Sequence, residues 1–212
     1  IACAEDYPHH VGLPRGCLED LKELLTGHKV ELLLEDKRIL GTALEVVFQG
    51  ELDSIQQKAA RELLAHDIGV LVAPPGSGKT VVGANLIAAR GRNTLVLVHR
   101  TQLLDQWRTQ LAMFLGIDKK QIGAIGGGKR KVTGYLDVAM MQSLVQGGEV
   151  NDLVAGYGHV LVDECHHVSA VSFENVMREV QARYITGLTA TQRRRDGHHP
   201  ILEFHLGPVR HT

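Results

Sequence analysis

Residues 70–86, VLVAPPGSGKTVVGANL, constrain the fold of this chain more than any other stretch. An apolar run that reads as a strand stops at Pro74-Pro75. A glycine-rich turn follows, and an amphipathic segment reads as helix from Gly78 to about Ala89. Residues 73–80, APPGSGKT, match the pattern G-x-x-x-x-G-K-[ST] at every position but the first, which is Ala73. Glycines let successive backbone N–H groups turn inward around phosphate oxygens, and a helix N-terminus adds the positive end of its dipole. On that chemistry Pro75, Gly76, Ser77 and Gly78 form a cradle. Lys79 reaches the β- and γ-phosphates, and the Thr80 hydroxyl ligates Mg²⁺.

The rest of the chain from residue 54 keeps a matching rhythm. Strands are expected at GVLVA, TLVLVH, residues 122–125, DVAMM, HVLVDE and YITGLTA. Helices are expected at 54–65, 101–115 and near 172–181, with Ile55, Ala59, Leu63 and Leu64 on one side of the first. The strands are continuous apolar runs, as strands covered on both faces require. The expected fold is therefore α/β, a parallel sheet with right-handed crossovers and helices on both faces. Residues 1–50 read differently. Leu18, Leu21, Leu24 and Leu25 lie at helical spacing ahead of a stop at Gly27, and KVELLLEDKRI and ALEVVFQG read as two strands. This predicts a small helix-plus-hairpin (α+β) domain over 1–50 ahead of a larger domain over 51–212.

HVLVDECHH places a second chemical station at the end of a strand. A carboxylate at the tip of a strand neighbouring a phosphate loop is where a metal–nucleotide complex needs one. Asp163 would hold the metal through water, and Glu164 would orient and deprotonate the attacking water. Together the two stations imply a nucleoside triphosphate that is hydrolysed. Cys165-His166-His167, and His9-His10 between Cys3 and Cys17, both lack a four-ligand zinc set. With 23 basic and 24 acidic side chains, no global charge announces nucleic acid, so any such surface must be local. Three cysteines, an odd and sparse number, suit a reducing, cytoplasmic setting rather than a disulfide framework. No apolar run approaches the roughly 18 residues of a membrane span. Trp107 sits mid-helix and reads as core.

The order and spacing of APPGSGKT, VDECHH and GLTAT resemble motifs I, II and III of superfamily 2 helicases. LVLVHRTQLLDQW resembles motif Ia, and MMQSL the segment ahead of motif II. The resemblance is to the group of type III restriction subunits and excision-repair-type helicases, and it covers about residues 52–212. It implies a RecA-like phosphate-loop NTPase domain that takes ATP and Mg²⁺. It also implies nucleic acid as partner, DNA ahead of RNA, and a second RecA-like domain that these residues do not include. Similarity to helicase modules of bacterial conflict systems adds a nuclease or related domain as an expected partner. The resemblance makes Gln56 the adenine-reading residue, although Asp53-Ser54-Ile55 stands where relatives carry Arg-Pro-aromatic. It makes His166, His167, Thr189 and Thr191 the coupling between ATP and the nucleic-acid track, with Gln192 where relatives commonly have Pro. For the track itself the residues are Arg100, Gln102, Lys129, Arg130, Lys131, Gln142 and Ser143, which combine basic tips with glycine amides. Aromatics make up 4% of the chain, so base stacking should contribute little. The expected function is the ATP-hydrolysing half of a helicase or translocase. A stand-alone ATPase that switches a protein partner, or a nucleic-acid module with a vestigial ATP site, are the alternatives.

Overall fold

The computed structural model of the chain describes residues 4–164, 170–190 and 199–212. Near the N-terminus β1 (Glu5–Tyr7) pairs antiparallel with β2 (His10–Gly12), and α1 (Leu18–Gly27) follows. The main body then alternates: α2 (Ser54–Leu64), β3 (Ile68–Val72), α3 (Lys79–Arg90), β4 (Thr94–Val98), α4 (Thr101–Leu115), β5 (Gly123–Gly126), β6 (Lys129–Lys131) and β7 (Leu136–Met140). A two-stranded ribbon, β8 (Val145–Gln146) with β9 (Glu149–Val150), precedes β10 (His159–Asp163). The described chain closes with α5 (Ala170–Glu179), β11 (Tyr184–Thr189), α6 (His199–Leu206) and β12 (Val209–His211).

Eight strands form one sheet in the order β12-β3-β11-β10-β4-β7-β5-β6. All neighbours are parallel except β6, which folds back antiparallel on β5. Alternation along each strand splits the core in two. Leu95, Leu97, Val160, Val162 and Ile185 face α5, α6 and the segment from Met141 to Tyr157. Val96, Val98, Leu161 and Leu188 face α2, α3 and α4. Burial on both faces explains why the strand sequences show no polar alternation. Truncating one such residue, Leu97→Ala, would cost about 2–5 kcal/mol through lost transfer energy and the cavity left behind.

The expected hairpin over residues 29–50 does not form. The segment runs extended and joins the body through isolated bridges, Ile39 to Ala182 and Ala43 to Arg92. Its β-favouring residues serve packing instead: Leu44, Val46 and Phe48 lie on the α3–α4 face, and Phe48 stacks on Phe114 at 6.1 Å. Backbone bonds such as Gln49 N–H to the Phe114 carbonyl, at 2.7 Å, replace a ladder. β-propensity records fit to a half-buried surface, and here the body supplies that surface. In α2 the buried residues are Ala59, Ala60 and Leu63, while Ile55 is 70% exposed and Leu64 is also exposed. The first turn of α2 directs Gln56, not Ile55, toward the phosphate loop. Asn93 ties several loops together. Its Oδ1 accepts from the N–H groups of Thr42 and Gly158, and its Nδ2 donates to the carbonyls of Gly134 and Gly156.

Candidate functional site

The carboxyl ends of β3, β11 and β10 lie side by side, since Val72 registers with Thr189 and Leu188 with Asp163. β11 thus separates the glycine-rich loop after β3 from the acidic tip of β10, and the Ala73 N–H bonds the Thr189 carbonyl at 2.9 Å. Thr189 is buried at this junction. Thr191, His166, His167, Cys165 and Cys3 lie outside the described residues.

The loop from Ala73 to Gly78 runs from β3 into α3. Gly76 and Gly78 both hold φ near 80°, the left-handed region that glycine enters without a Cβ penalty. A side chain at Gly76 would meet nothing within 4 Å, whereas one at Gly78 would come 2.4 Å from the Gln56 Nε2. α3 has no acidic residue in its first turn, so the positive end of its dipole is not neutralised from within. Ser77 Oγ is buried without a hydrogen-bond partner among the described residues, a cost that an anion or water accepted into the loop would relieve. Lys79 opens the helix, is buried, and donates to the Ala73 carbonyl at 2.9 Å and the Pro74 carbonyl at 3.1 Å. Its ammonium is therefore held over the loop by neutral acceptors. Pro75 is exposed at the loop's outer rim, and Thr80 is half-buried one residue into the helix.

Gln56 reaches the loop from α2. Its Nε2 donates to the Ser77 carbonyl at 3.1 Å, and its Oε1 accepts the Asp53 N–H at 3.1 Å. The Asp53 side chain in turn accepts the Gln56 N–H at 2.8 Å, which completes a capping box. The Asp53-Ser54-Ile55 departure thus has a structural use: Asp53 is the helix cap.

Asp163 closes β10 with only 6% of its surface exposed. Its Oδ1 accepts the Glu164 N–H at 2.9 Å, and its Oδ2 accepts the indole N–H of Trp107 at 2.6 Å. Burial pushes its pKa up, the Trp107 bond pulls it down, the Glu164 charge pushes up, and the nearby Lys79 charge pulls down. Glu164 sits at φ 49°, a left-handed conformation rare for a residue with a side chain. Strain of this kind, of order 1–3 kcal/mol, persists where surroundings over-determine the backbone. The Trp107 contact was not legible in sequence, because its partner lies on another element.

Farther along the same sheet edge the remaining polar residues gather at the ends of β4, β5 and β7. Arg100 caps α4, and Gln102 is exposed in its first turn. Gln142 donates to the His99 carbonyl at 3.3 Å. The turn after β5 packs closely: a Cβ on Gly126 would approach the Ser143 Oγ to 2.7 Å, and one on Gly127 the Thr101 Cγ2 to 2.5 Å. Lys129 pairs with Asp105 of α4 at 2.6 Å. Arg130 is exposed on the other side of the strand, and Lys131 donates away from this edge to the Lys120 carbonyl. The segments that carry Arg100, Gln102, Lys129, Gln142 and Ser143 thus meet at this edge, while Lys131 leans elsewhere. Among the described residues no cluster of His, Cys, Asp and Glu could hold a metal on its own, and no helix is long and apolar enough to cross a membrane.

The model of the family described as type III restriction enzyme, res subunit, matches residues 49–194. A DNA 3'-5' helicase XPB of Mycobacterium tuberculosis is 31% identical over 167 residues, covering 76% of this chain and 30% of that protein. An ATP-dependent RNA helicase candidate of Acanthamoeba polyphaga mimivirus is 32% identical over 146 residues, covering 68% of this chain and 27% of its own length. The chain thus spans under a third of these two relatives. The UvsW helicase of bacteriophage T4 shares the fold, with a TM-score of 0.75 at 17% identity over 97% of this chain and 81% of that one. By the family model, supported by these relatives, the chain belongs to the type III restriction enzyme res subunit family, within the superfamily 2 helicases.

Proposed function

We propose that the chain is the ATP-binding and hydrolysing half of a nucleic-acid helicase or translocase, with DNA as the nucleic acid. The observation that carries this reading is one sheet edge that holds an anion-ready loop beside a buried carboxylate. Among the described residues the loop's Ser77 Oγ lacks a partner, its helix carries no acid in the first turn, and Asp163 stands two strands away. These residues fit a metal-bound triphosphate. Backbone N–H groups from Gly76 to Thr80 would cradle the phosphates, and Lys79 would leave its two carbonyl acceptors for the β- and γ-oxygens. Thr80 and Asp163 would hold Mg²⁺, which when bound neutralises charge building on the transferred phosphoryl group. Glu164 would take a proton from the water that attacks the γ-phosphorus as the bond to ADP breaks. Gln56 would read adenine by exchanging its present partners for the base.

The polar residues at the ends of β4, β5 and β7 would form the strand-binding track, with Arg100, Gln102, Gln142 and Ser143 on phosphates, Lys129 and Arg130 adding charge beside them, and Lys131 joining only by leaving the Lys120 carbonyl. Thr189, buried between the two stations and backed onto the loop, suits the coupling role, which the resemblance extends to Thr191, His166 and His167. A second RecA-like domain would complete both the catalytic charge and the track, and residues 1–50 would form an accessory unit beside them. The DNA preference follows the Mycobacterium tuberculosis relative, a DNA 3'-5' helicase by name, and the mimivirus relative makes RNA the competing strand to test. Calorimetric titration of MgATP into the wild-type chain and Lys79→Ala tests the nucleotide site. Binding that is lost or weakened about tenfold or more in the variant is expected for a charge facing the phosphates. Equal affinities, or no binding by the wild type, would overturn the assignment.

A further inference from the structure

Trp107 is the chain's one tryptophan, and it stands at the junction of three elements. It belongs to α4, whose N-terminus carries Arg100 and Gln102. The indole is 1% exposed and packs on α3, where a Cβ on Gly83 would come within 2.8 Å of Cη2. Its N–H ends on Asp163 Oδ2 at 2.6 Å, the tip of β10. The ring is therefore wedged against the helix that the phosphate loop opens, and its one polar atom holds the carboxylate beside that loop. The other carboxylate oxygen is held by the Glu164 N–H at 2.9 Å, so both rotational ends of the group are fixed.

We propose that Trp107 is a positioning residue, whose indole N–H fixes the Asp163 carboxylate in the orientation needed for metal-bound nucleotide and ties that carboxylate to α4. The proposal rests on the nucleotide-site reading above. A buried indole needs an acceptor in any core, and a neutral carbonyl would satisfy it. A carboxylate only 6% exposed is an expensive acceptor, because burial disfavours its charge, unless the carboxylate itself is being held for use. The link is short and rigid, so displacement of α4 by a bound strand would be felt at Asp163 without passing through the loop.

The test compares wild type, Trp107→Phe and Asp163→Asn. Phe keeps an aromatic ring in the core but removes the donor together with the outer indole atoms, Cη2 included, that reach Gly83, and the melting temperature reports that packing loss. Nucleotide affinity is measured by calorimetry with excess Mg²⁺ and again with EDTA. The expected result is that Trp107→Phe loses about tenfold of the affinity seen with Mg²⁺, the size of a lost hydrogen bond to a charged group, while affinity in EDTA stays within about twofold. A merely structural tryptophan would lower the melting temperature and leave the ratio of the two affinities unchanged, and that result overturns the proposal. The single tryptophan also reports without any ligand. The emission of Trp107 in wild type and in Asp163→Asn should differ if the indole N–H rests on the carboxylate in solution, and identical spectra overturn the proposal. If the wild type binds no nucleotide with or without Mg²⁺, the nucleotide-site reading fails and the proposal with it. A normal magnesium effect that survives in Trp107→Phe removes the proposal alone.

Discussion

Gly78→Ala should destabilise the chain through two separable effects, and Gln56 tells them apart. At φ 80° an alanine takes on left-handed strain of about 1–2 kcal/mol. Its Cβ also lands 2.4 Å from the Gln56 Nε2. That amide ends a flexible side chain, so the clash resolves by swinging it away. Swinging breaks its bonds to the Ser77 carbonyl and the Asp53 N–H, at about 0.5–1.5 kcal/mol each. The single variant should therefore lose about 2–5 kcal/mol, or roughly 4–20 °C in melting temperature. In a Gln56→Ala background the same substitution should lose only the strain, about 1–2 kcal/mol, which leaves a coupling of about 1–3 kcal/mol. Gly76→Ala is the control: it has the same φ, open space around it and no coupling to Gln56. Urea denaturation of the four members of the cycle, followed by circular dichroism, provides the measurement. Additivity within about 0.5 kcal/mol would mean that Gln56 does not rest on the phosphate loop in solution, and its proposed route to adenine would fail with it.

Two further outcomes follow from buried chemistry. Glu164→Gln should bind MgATP as wild type does and abolish turnover in any form of the protein that hydrolyses ATP, and turnover equal to wild type in a single-turnover assay would remove Glu164 as base. His159 is fully buried between Thr94 and Thr186, and burial, helped by the Arg90 charge, holds its pKa well below the usual 6.5. The unfolded chain takes up a proton near pH 6.5 that the folded chain refuses, so stability falls as pH drops below that value, by up to about 1.4 kcal/mol per pH unit, until the folded pKa is reached. Stability should differ less between pH 7.5 and pH 5.5 in His159→Gln than in wild type, read from denaturation curves, and identical pH slopes would refute the assignment.

The sheet and its helices were legible because residues buried on both faces leave unbroken apolar runs such as Thr94–Val98 and His159–Asp163. The phosphate loop was legible for a local reason too, since its glycines, Lys79 and Thr80 act within one turn of chain. What sequence misjudged depends on distant partners. The run from Leu44 to Phe48 looks like a hairpin strand, yet it packs on α3 and α4. Ile55 looks inward by period, yet the capping box turns Gln56 in instead. The stretch past Leu206 carries no strand signal of its own, and β12 forms because the edge of β3 is open to receive it. Trp107 was legible as core, but its hydrogen bond to a carboxylate 56 residues away was not. Lys129 and Lys131 read as one basic tip, whereas the strand sends one to Asp105 and the other to Lys120.

That one sheet edge serves both a nucleotide and a strand is tested most directly by the anisotropy of a labelled single-stranded DNA, with an RNA of the same sequence alongside. The titration is made with and without a saturating non-hydrolysable MgATP analogue. Binding is expected at low salt, weakening linearly in log–log form as salt rises, with a shallower slope when Lys129, Arg130 and Lys131 are replaced by Ala. The nucleotide is expected to shift strand affinity by about fivefold or more, with the reciprocal shift in nucleotide affinity. Tight nucleotide binding with no strand bound at low salt, or with strand affinity indifferent to the nucleotide, would contradict the motor reading and leave a phosphate-loop ATPase that answers to some other partner.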